Sequence, residues 1–318
     1  MLTTGRLACR LWDRPVLLLW VSPLLWAGNL VLGRALGASY PPVSLAVGRW
    51  LVALGLLMPF VAARAWRQRD LLRRHGGLIL ACGAFGVAGY NALGYLALQT
   101  TQAANVAFLN STLPLMIPLA AMALNREPVA MRTVIGIAVS FFGVAWIVSR
   151  GAWSTLSALS FHRGELLVLI AVANYAVYSV LLRRRPLVLD PLVFLAATML
   201  AGLLVLTPFW AWELAEGARI PFDPVSVAAV LYIGVFASLI AFILWNRCVA
   251  MLGAAVTGVS FHLVAVFTAL LACVALHEQL HAFHLIGIAL ILAGFLLATR
   301  GASPMPALPL ALGRSGKA

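Results

Sequence analysis

Two histidines one helical turn apart with a carboxylate between them, His277-Glu278-Gln279-Leu280-His281, match the pattern by which zinc proteases hold a metal and supply a base, and the imidazole of His284 follows closely. A second reagent is Arg49, a guanidinium inside an otherwise apolar run. Its planar fork suits a carboxylate or a phosphate, and its cost in hydrocarbon makes it a functional candidate that must face protein or water. His262 lies equally deep in another apolar run and is the side chain there able to titrate near neutral pH. The nine acidic residues (Asp13, Asp70, Glu127, Glu165, Asp190, Glu213, Glu216, Asp223, Glu278) fall at run ends or in connections, which leaves no carboxylate placed for proton coupling in mid-run. No GxxxxGK[ST] loop is present, which argues against ATP drive of the P-loop kind within this chain.

The elements that carry these residues follow from composition. Of 318 residues, 63% are hydrophobic and 10% charged, with a mean hydropathy of +1.01. Soluble domains hold roughly 45–50% apolar and about 25% charged residues, so a polytopic membrane protein is the class that remains. Apolar runs at about 15–33, 42–62, 77–98, 103–124, 132–149, 164–182, 191–212, 225–246, 254–276 and 283–299 predict ten transmembrane helices. Arg6, Arg10 and Arg14 before the first run resemble the basic start of a signal peptide, but the run is longer than a usual signal core and reads as a retained first helix. Most of the 22 Lys and Arg residues fall in one alternate set of connections, leaving Arg34, Arg150, Arg163 and Arg219 on the other side. That asymmetry predicts both termini in the cytoplasm, with tails at 1–14 and 301–318. The net charge of +13 sits in short loops between apolar runs, which points to anionic lipid headgroups and not to nucleic acid. The four cysteines show no paired spacing and imply neither disulfides nor a metal.

The two halves repeat. At an offset of 149, Arg34 falls on Arg183, Pro42 on Pro191, and Pro59-Phe60 on Pro208-Phe209. At 151, Gly83 and Phe85 fall on Gly234 and Phe236, Glu127 on Glu278, Gly136 on Gly287, and Gly143 on Gly294. With five helices per repeat, 15–150 and 163–300, the second must sit upside down, the plan by which many secondary transporters exchange two access states around a central site. The repeat also bears on the histidine cluster, since Glu278 is the counterpart of Glu127, whose neighbours Asn125 and Pro128 cannot bind zinc in that way. The segment is therefore read as the outside loop entering helix ten, with no metal, while an intramembrane zinc enzyme and a non-transporting scaffold stand as alternatives. Glycines seven apart, Gly136/Gly143 and Gly287/Gly294, read as close helix packing.

These residues resemble the EamA-type ten-helix members of the drug/metabolite transporter superfamily. Leu25-Trp26-Ala27-Gly28-Asn29 is similar to the family's W-G-x-N, Arg49-Trp50 to its A-x-x-R-W, Asn110-Ser111-Thr112-Leu113-Pro114 with Glu127 to its S-x-x-P…G-E, and the paired glycines of helices five and ten to its G-x-x-L-I-x-x-G. Two departures stand out. Arg126 and His277 occupy the glycine position before the glutamate, and Ala265 replaces the expected proline, which predicts a straighter helix nine than helix four. The resemblance implies helices 1–4 and 6–9 around a central cavity with helices 5 and 10 outside, and export, or less often uptake, of a small metabolite such as an amino acid across a bacterial inner membrane. No cofactor is expected, and the oligomeric state is open between monomer and homodimer. Pro59, Pro114 and Pro208 are the expected bends. In the cavity helices the substrate-binding candidates are Trp26, Asn29, Arg49, Tyr90, Asn91, Tyr95, Asn110, Asn174, Tyr175, Tyr178, Trp245, Asn246 and His262. Trp26 with Asn29 and Tyr175 with Tyr178 are repeat counterparts, each pair one turn apart on a helix face.

Overall fold

Proline can open a helix because its missing N–H is one of those left without a partner there, and Pro42, Pro191 and Pro224 each begin a helix in the computed structural model. The structure describes residues 15–36, 40–99, 109–126, 128–149, 151–152, 163–276 and 282–300. Within them α1 is Pro15–Leu36, α2 Pro42–Arg67, α4 Leu113–Asn125, α5 Met131–Val148, α6 Arg163–Leu181, α7 Pro191–Ala215 and α10 Ala282–Thr299. Three helices are composite. In α3, Gly76–Cys82 and Tyr90–Leu98 are joined by a π-helical stretch, Gly83–Gly89; in α8, Pro224–Tyr232 and Ala241–Leu252 are joined by another, Ile233–Ile240. In α9, Ala254–Val259 and Leu263–Leu276 flank a 3-10 turn, Ser260–His262. No strand occurs among the described residues. Eight of these helices are long and apolar enough to cross a bilayer, and two shorter apolar stretches, Leu113–Asn125 and Ala254–Thr268, accompany them. Phe60, Leu119, Phe142 and Leu204 stand exposed on the outer surface, which suits hydrocarbon.

Helix starts show how the elements are tied together. Asp190 caps α7 by accepting from the amides of Leu192 and Val193, and Asp223 caps α8 through Val225 and Ser226. Hydrogen bonds from the Ser226 hydroxyl and amide hold the Asp223 carboxyl below the usual carboxylate range. Pro41 gives α2 no such side chain, and its first amides are met from α7: Glu213 accepts from Val43 N at 2.8 Å, Ser44 N at 2.7 Å and Ser44 Oγ at 2.7 Å. At the opposite end Arg64 of α2 reaches Asp190 at 2.6 Å, so α2 and α7 run antiparallel and are pinned at both ends.

Prolines and glycines behave unequally. Pro59 and Pro208 lie within unbroken helices, and Pro114 sits in the first turn of α4. Without any proline there, α9 leaves α geometry at Ser260–His262, the counterpart of the turn that precedes α4. A neighbouring segment meets it there. His262 Nε2 lies 3.0 Å from the carbonyl oxygen of Ser111, on a helix that itself forms a turn at Ser111-Thr112, and the Ser260 hydroxyl bonds back to Thr257 O. At the end of α4 Arg126 adopts φ +53, so the left-handed conformation is kept where the resembled family has glycine. A side chain in that region costs roughly 1 kcal/mol. Arg126→Gly should therefore raise stability by about 0.5–1 kcal/mol in a thermal unfolding assay, and an unchanged or lowered melting temperature would refute that account.

The packing follows the small residues. A Cβ on Gly136 would lie 2.5 Å from Gly294 O, and one on Gly143 would lie 2.7 Å from Gly287 O, so α5 and α10 cross antiparallel with backbones in contact. Ser140 Oγ donates to Ile291 O at 3.1 Å at the middle of this crossing. α1 lies antiparallel along α8, through Ser22 Oγ to Ala241 O at 3.2 Å and Trp26 Nε1 to Ala237 O at 3.0 Å. α3 lies against α6 in the same sense, with Tyr178 over Gly86 and Asn174 over Gly89.

Candidate functional site

The two π-helical stretches occupy counterpart positions, since Gly83 and Phe85 of one match Gly234 and Phe236 of the other. A π turn widens the helix by one residue and leaves carbonyls without their usual partner, and in hydrocarbon each must find a donor. Here side chains supply them. Val87 O accepts from Trp50 Nε1 at 3.1 Å and Asn91 Nδ2 at 2.9 Å, while Ala237 O accepts from Trp26 Nε1 at 3.0 Å and Arg49 Nη2 at 3.2 Å. Ser238 Oγ donates to Ile233 O at 2.9 Å inside the second stretch.

Arg49 ties the two together. It is 2% exposed, and its Nε donates to Ser238 Oγ at 2.6 Å while Nη1 donates to Asn91 Oδ1 at 2.8 Å and Tyr95 Oη at 2.9 Å. Tyr95 in turn donates to Asn29 Oδ1 at 3.4 Å. This chain joins α1, α2, α3 and α8 through one guanidinium. The position is asymmetric between the halves, since the counterpart of Arg49 is Thr198, whose hydroxyl bonds only to its own helix at Leu195 O.

Beside the chain lies an aromatic cluster. Trp26 and its counterpart Tyr175 meet edge to face with ring centroids 6.0 Å apart, and Tyr175 also lies 4.7 Å from Tyr90, 5.4 Å from Tyr178 and 5.5 Å from Trp245. Trp245 lies 5.2 Å from Trp26. Tyr178 donates to Asn246 Oδ1 at 2.9 Å. The hydroxyl of Tyr175 and the indole N–H of Trp245 are buried with no hydrogen-bond partner among the described residues.

The structure thus brings together most of the sequence candidates: Arg49, Asn91, Tyr95 and Asn29 in the polar chain, and Trp26, Tyr90, Tyr175, Tyr178, Trp245 and Asn246 in or against the aromatic cluster. Asn174 adjoins the cluster at Gly89, where a Cβ would fall 3.2 Å from its Cγ. His262 sits next to Phe261, which packs on Trp26 at 5.6 Å, and its ring meets its counterpart residue Ser111. A carbonyl only accepts, so Nε2 carries the proton of that bond. No described residue of the cluster bonds Asn110. Sequence reasoning missed Trp50, Ser238 and Phe242, whose ring lies 4.8 Å from Trp50 and 5.9 Å from Tyr175. Their signal was present, as a tryptophan beside Arg49 and as residues following the repeated Gly-x-Phe. His277, Glu278 and His281 lie outside the described residues, and among the described ones no three His, Cys, Asp or Glu side chains gather as a metal site. Cys82 and Cys248 are free and buried.

Comparison with known proteins places this geometry. The profile of the EamA-like transporter family matches twice, over residues 14–149 and 162–300. An uncharacterized transporter of Archaeoglobus fulgidus is 31% identical over 288 residues, covering 89% of this chain and 96% of the relative. The uncharacterized transporter YyaM of Bacillus subtilis is 26% identical, covering 82% of this chain and 85% of its own. A solved crystal structure superposes with a TM-score of 0.73 at 22% identity over 91% of this chain and 98% of the other, a likeness of fold alone. With its apolar helices, its duplicated profile and its relatives all of transporter type, the chain belongs to the EamA-like transporter family and is a multi-pass membrane protein.

Proposed function

We propose that this chain is a secondary transporter that exports a small amphiphilic metabolite, such as an amino acid, across the bacterial inner membrane by alternating access. In this reading ten transmembrane helices form two inverted five-helix repeats, 15–150 and 163–300, with both termini cytoplasmic. The observation that carries it is that repeat counterparts touch one another: Trp26 with Tyr175, Ser111 with His262, and Ser140 with Ile291. Residues related by a two-fold axis meet their own counterparts only on that axis, so the aromatic cluster lies where the two halves could exchange roles. Repeated π turns on either side of it are elements whose hydrogen bonds can be re-formed in a second arrangement.

The test is counterflow in proteoliposomes preloaded with single amino acids, organic acids, nucleosides or cationic dyes. Saturable uptake of the matching labelled solute, absent from protein-free vesicles, is the expected result. Protein that keeps its melting transition yet moves none of these solutes would remove the transporter reading in favour of a scaffold.

A further inference from the structure

We infer that the solute bound at this site carries an anionic head whose oxygens only accept hydrogen bonds, a carboxylate above all, held by Arg49, Tyr175 and Trp245. The inference rests on the transporter reading above and adds the charge of its substrate.

Arg49 carries a permanent charge, yet all four of its hydrogen-bond partners are neutral: the Ser238 hydroxyl, the Asn91 amide oxygen, the Tyr95 hydroxyl and the Ala237 carbonyl. No carboxylate among the described residues approaches it. Those bonds engage Nε, both Nη1 protons and one Nη2 proton, and leave one of the five N–H groups unused.

Two more donors in the same cluster are idle. Tyr175 and Trp245 are each 1% exposed, and Tyr175 Oη and Trp245 Nε1 have no partner among the described residues. Four neighbouring donors are committed: Trp26 to Ala237 O, Trp50 to Val87 O, Tyr178 to Asn246 and Tyr95 to Asn29. Indole cannot accept, so what completes Trp245 must be an acceptor. The charge and the idle donors are adjacent, because Arg49 Nη2 and Trp26 Nε1 converge on the one oxygen of Ala237, and the Trp26 ring touches both Tyr175 and Trp245.

The rival occupant of an aromatic cluster is an amine, attracted by the ring faces. Arg49 opposes it, since a buried guanidinium within the cluster repels a second cation where water cannot screen the two. A carboxylate instead offers oxygens to both idle donors and a countercharge to the guanidinium.

The experiment uses one carbon skeleton with four heads. Binding to the purified full chain is measured by thermal shift and calorimetry for 3-phenylpropionate, phenylalanine, phenylalaninamide and phenethylamine, and again for 4-methylpentanoate, leucine, leucinamide and isopentylamine. Binding is expected from the carboxylates and not from the amides or amines. Tyr175→Phe and Trp245→Phe should each weaken it about tenfold. The melting temperature of the empty protein should stay the same or rise for Tyr175→Phe, which deletes only a donor that has no partner, and fall for Trp245→Phe, which also leaves a cavity beside Trp26 and Tyr175. Amides or amines binding as well as the acids, or both Phe variants binding the acids as wild type does, would overturn the inference and leave transport standing. It would equally fall if none of the eight compounds bound a protein that moves another solute in counterflow. Carboxylate binding without flux of any solute would sink the transporter reading and keep the anion site.

Discussion

Arg49→Ala is expected to lower the stability of the empty protein by about 2–5 kcal/mol, the range given by four interhelical hydrogen bonds at roughly 0.6 kcal/mol each in a membrane, or about twice that when one partner is charged. The loss is large because one side chain serves α2, α3 and α8 together and satisfies carbonyl and hydroxyl oxygens around two π turns. Relief of desolvation does not offset it. In a denatured state that stays within the bilayer the guanidinium still sits on an apolar helix, so its hydration cost of about 2.5–3.5 kcal/mol is common to both states. Arg49→Lys keeps the charge but has three donors and no fork, and should lose about half as much. Unfolding titrations of the purified variants in mixed micelles decide the matter: equal stability of Arg49→Ala and wild type would mean that the guanidinium is no strut. Arg49 then serves twice, holding four helices in place and presenting its remaining charge to the solute, and the Tyr175 and Trp245 variants separate the second role from the first.

The second large effect is expected at the crossing of α5 and α10. Gly136→Val places a Cβ 2.5 Å from Gly294 O and 2.7 Å from Ala298 Cβ, and both obstacles belong to helix backbone or its stub. Neither can swing aside, so the helices must part, at a cost of about 1–3 kcal/mol for overpacking and more if Ser140 also loses Ile291 O. Gly294→Val should behave alike, because its clash is with Ser140 and Gly136 across the same contact. Gly55→Ala and Gly94→Ala are the matched controls. Nothing lies within 4 Å of a Cβ at either position, so the gain in helix propensity, about 0.5–1 kcal/mol, should appear unopposed. Opposite signs for the two classes of glycine are the result that checks the packing account; a Gly136→Val protein as stable as wild type would refute it.

Much of this molecule was legible before any coordinates. Apolar runs became helices because a backbone in hydrocarbon has few other ways to satisfy itself, and length and composition state that directly. Counterpart glycines at Gly136/Gly143 and Gly287/Gly294 announced a close crossing, since small residues at two-turn spacing have few other uses. Arg49 was marked as interior by cost alone, and Trp26 with Tyr175 by the repeat. Other features depended on partners far away in the chain. The π turns arise from one extra residue per turn, a change that no periodicity of seven or eight residues reveals, and they persist because Trp50, Trp26, Asn91 and Arg49 arrive from other helices to bond the freed carbonyls. The start of α2 looks uncapped at Pro41 because its cap, Glu213, lies on α7. α9 leaves α geometry where His262 meets Ser111 of another segment, with no proline at the turn. Residue type and local spacing determined which groups are costly to bury and which helices bury them, whereas the tertiary structure decided which donor meets which acceptor, because in a solvent that offers no hydrogen bonds that choice is made only by the partner that packing brings within 3 Å.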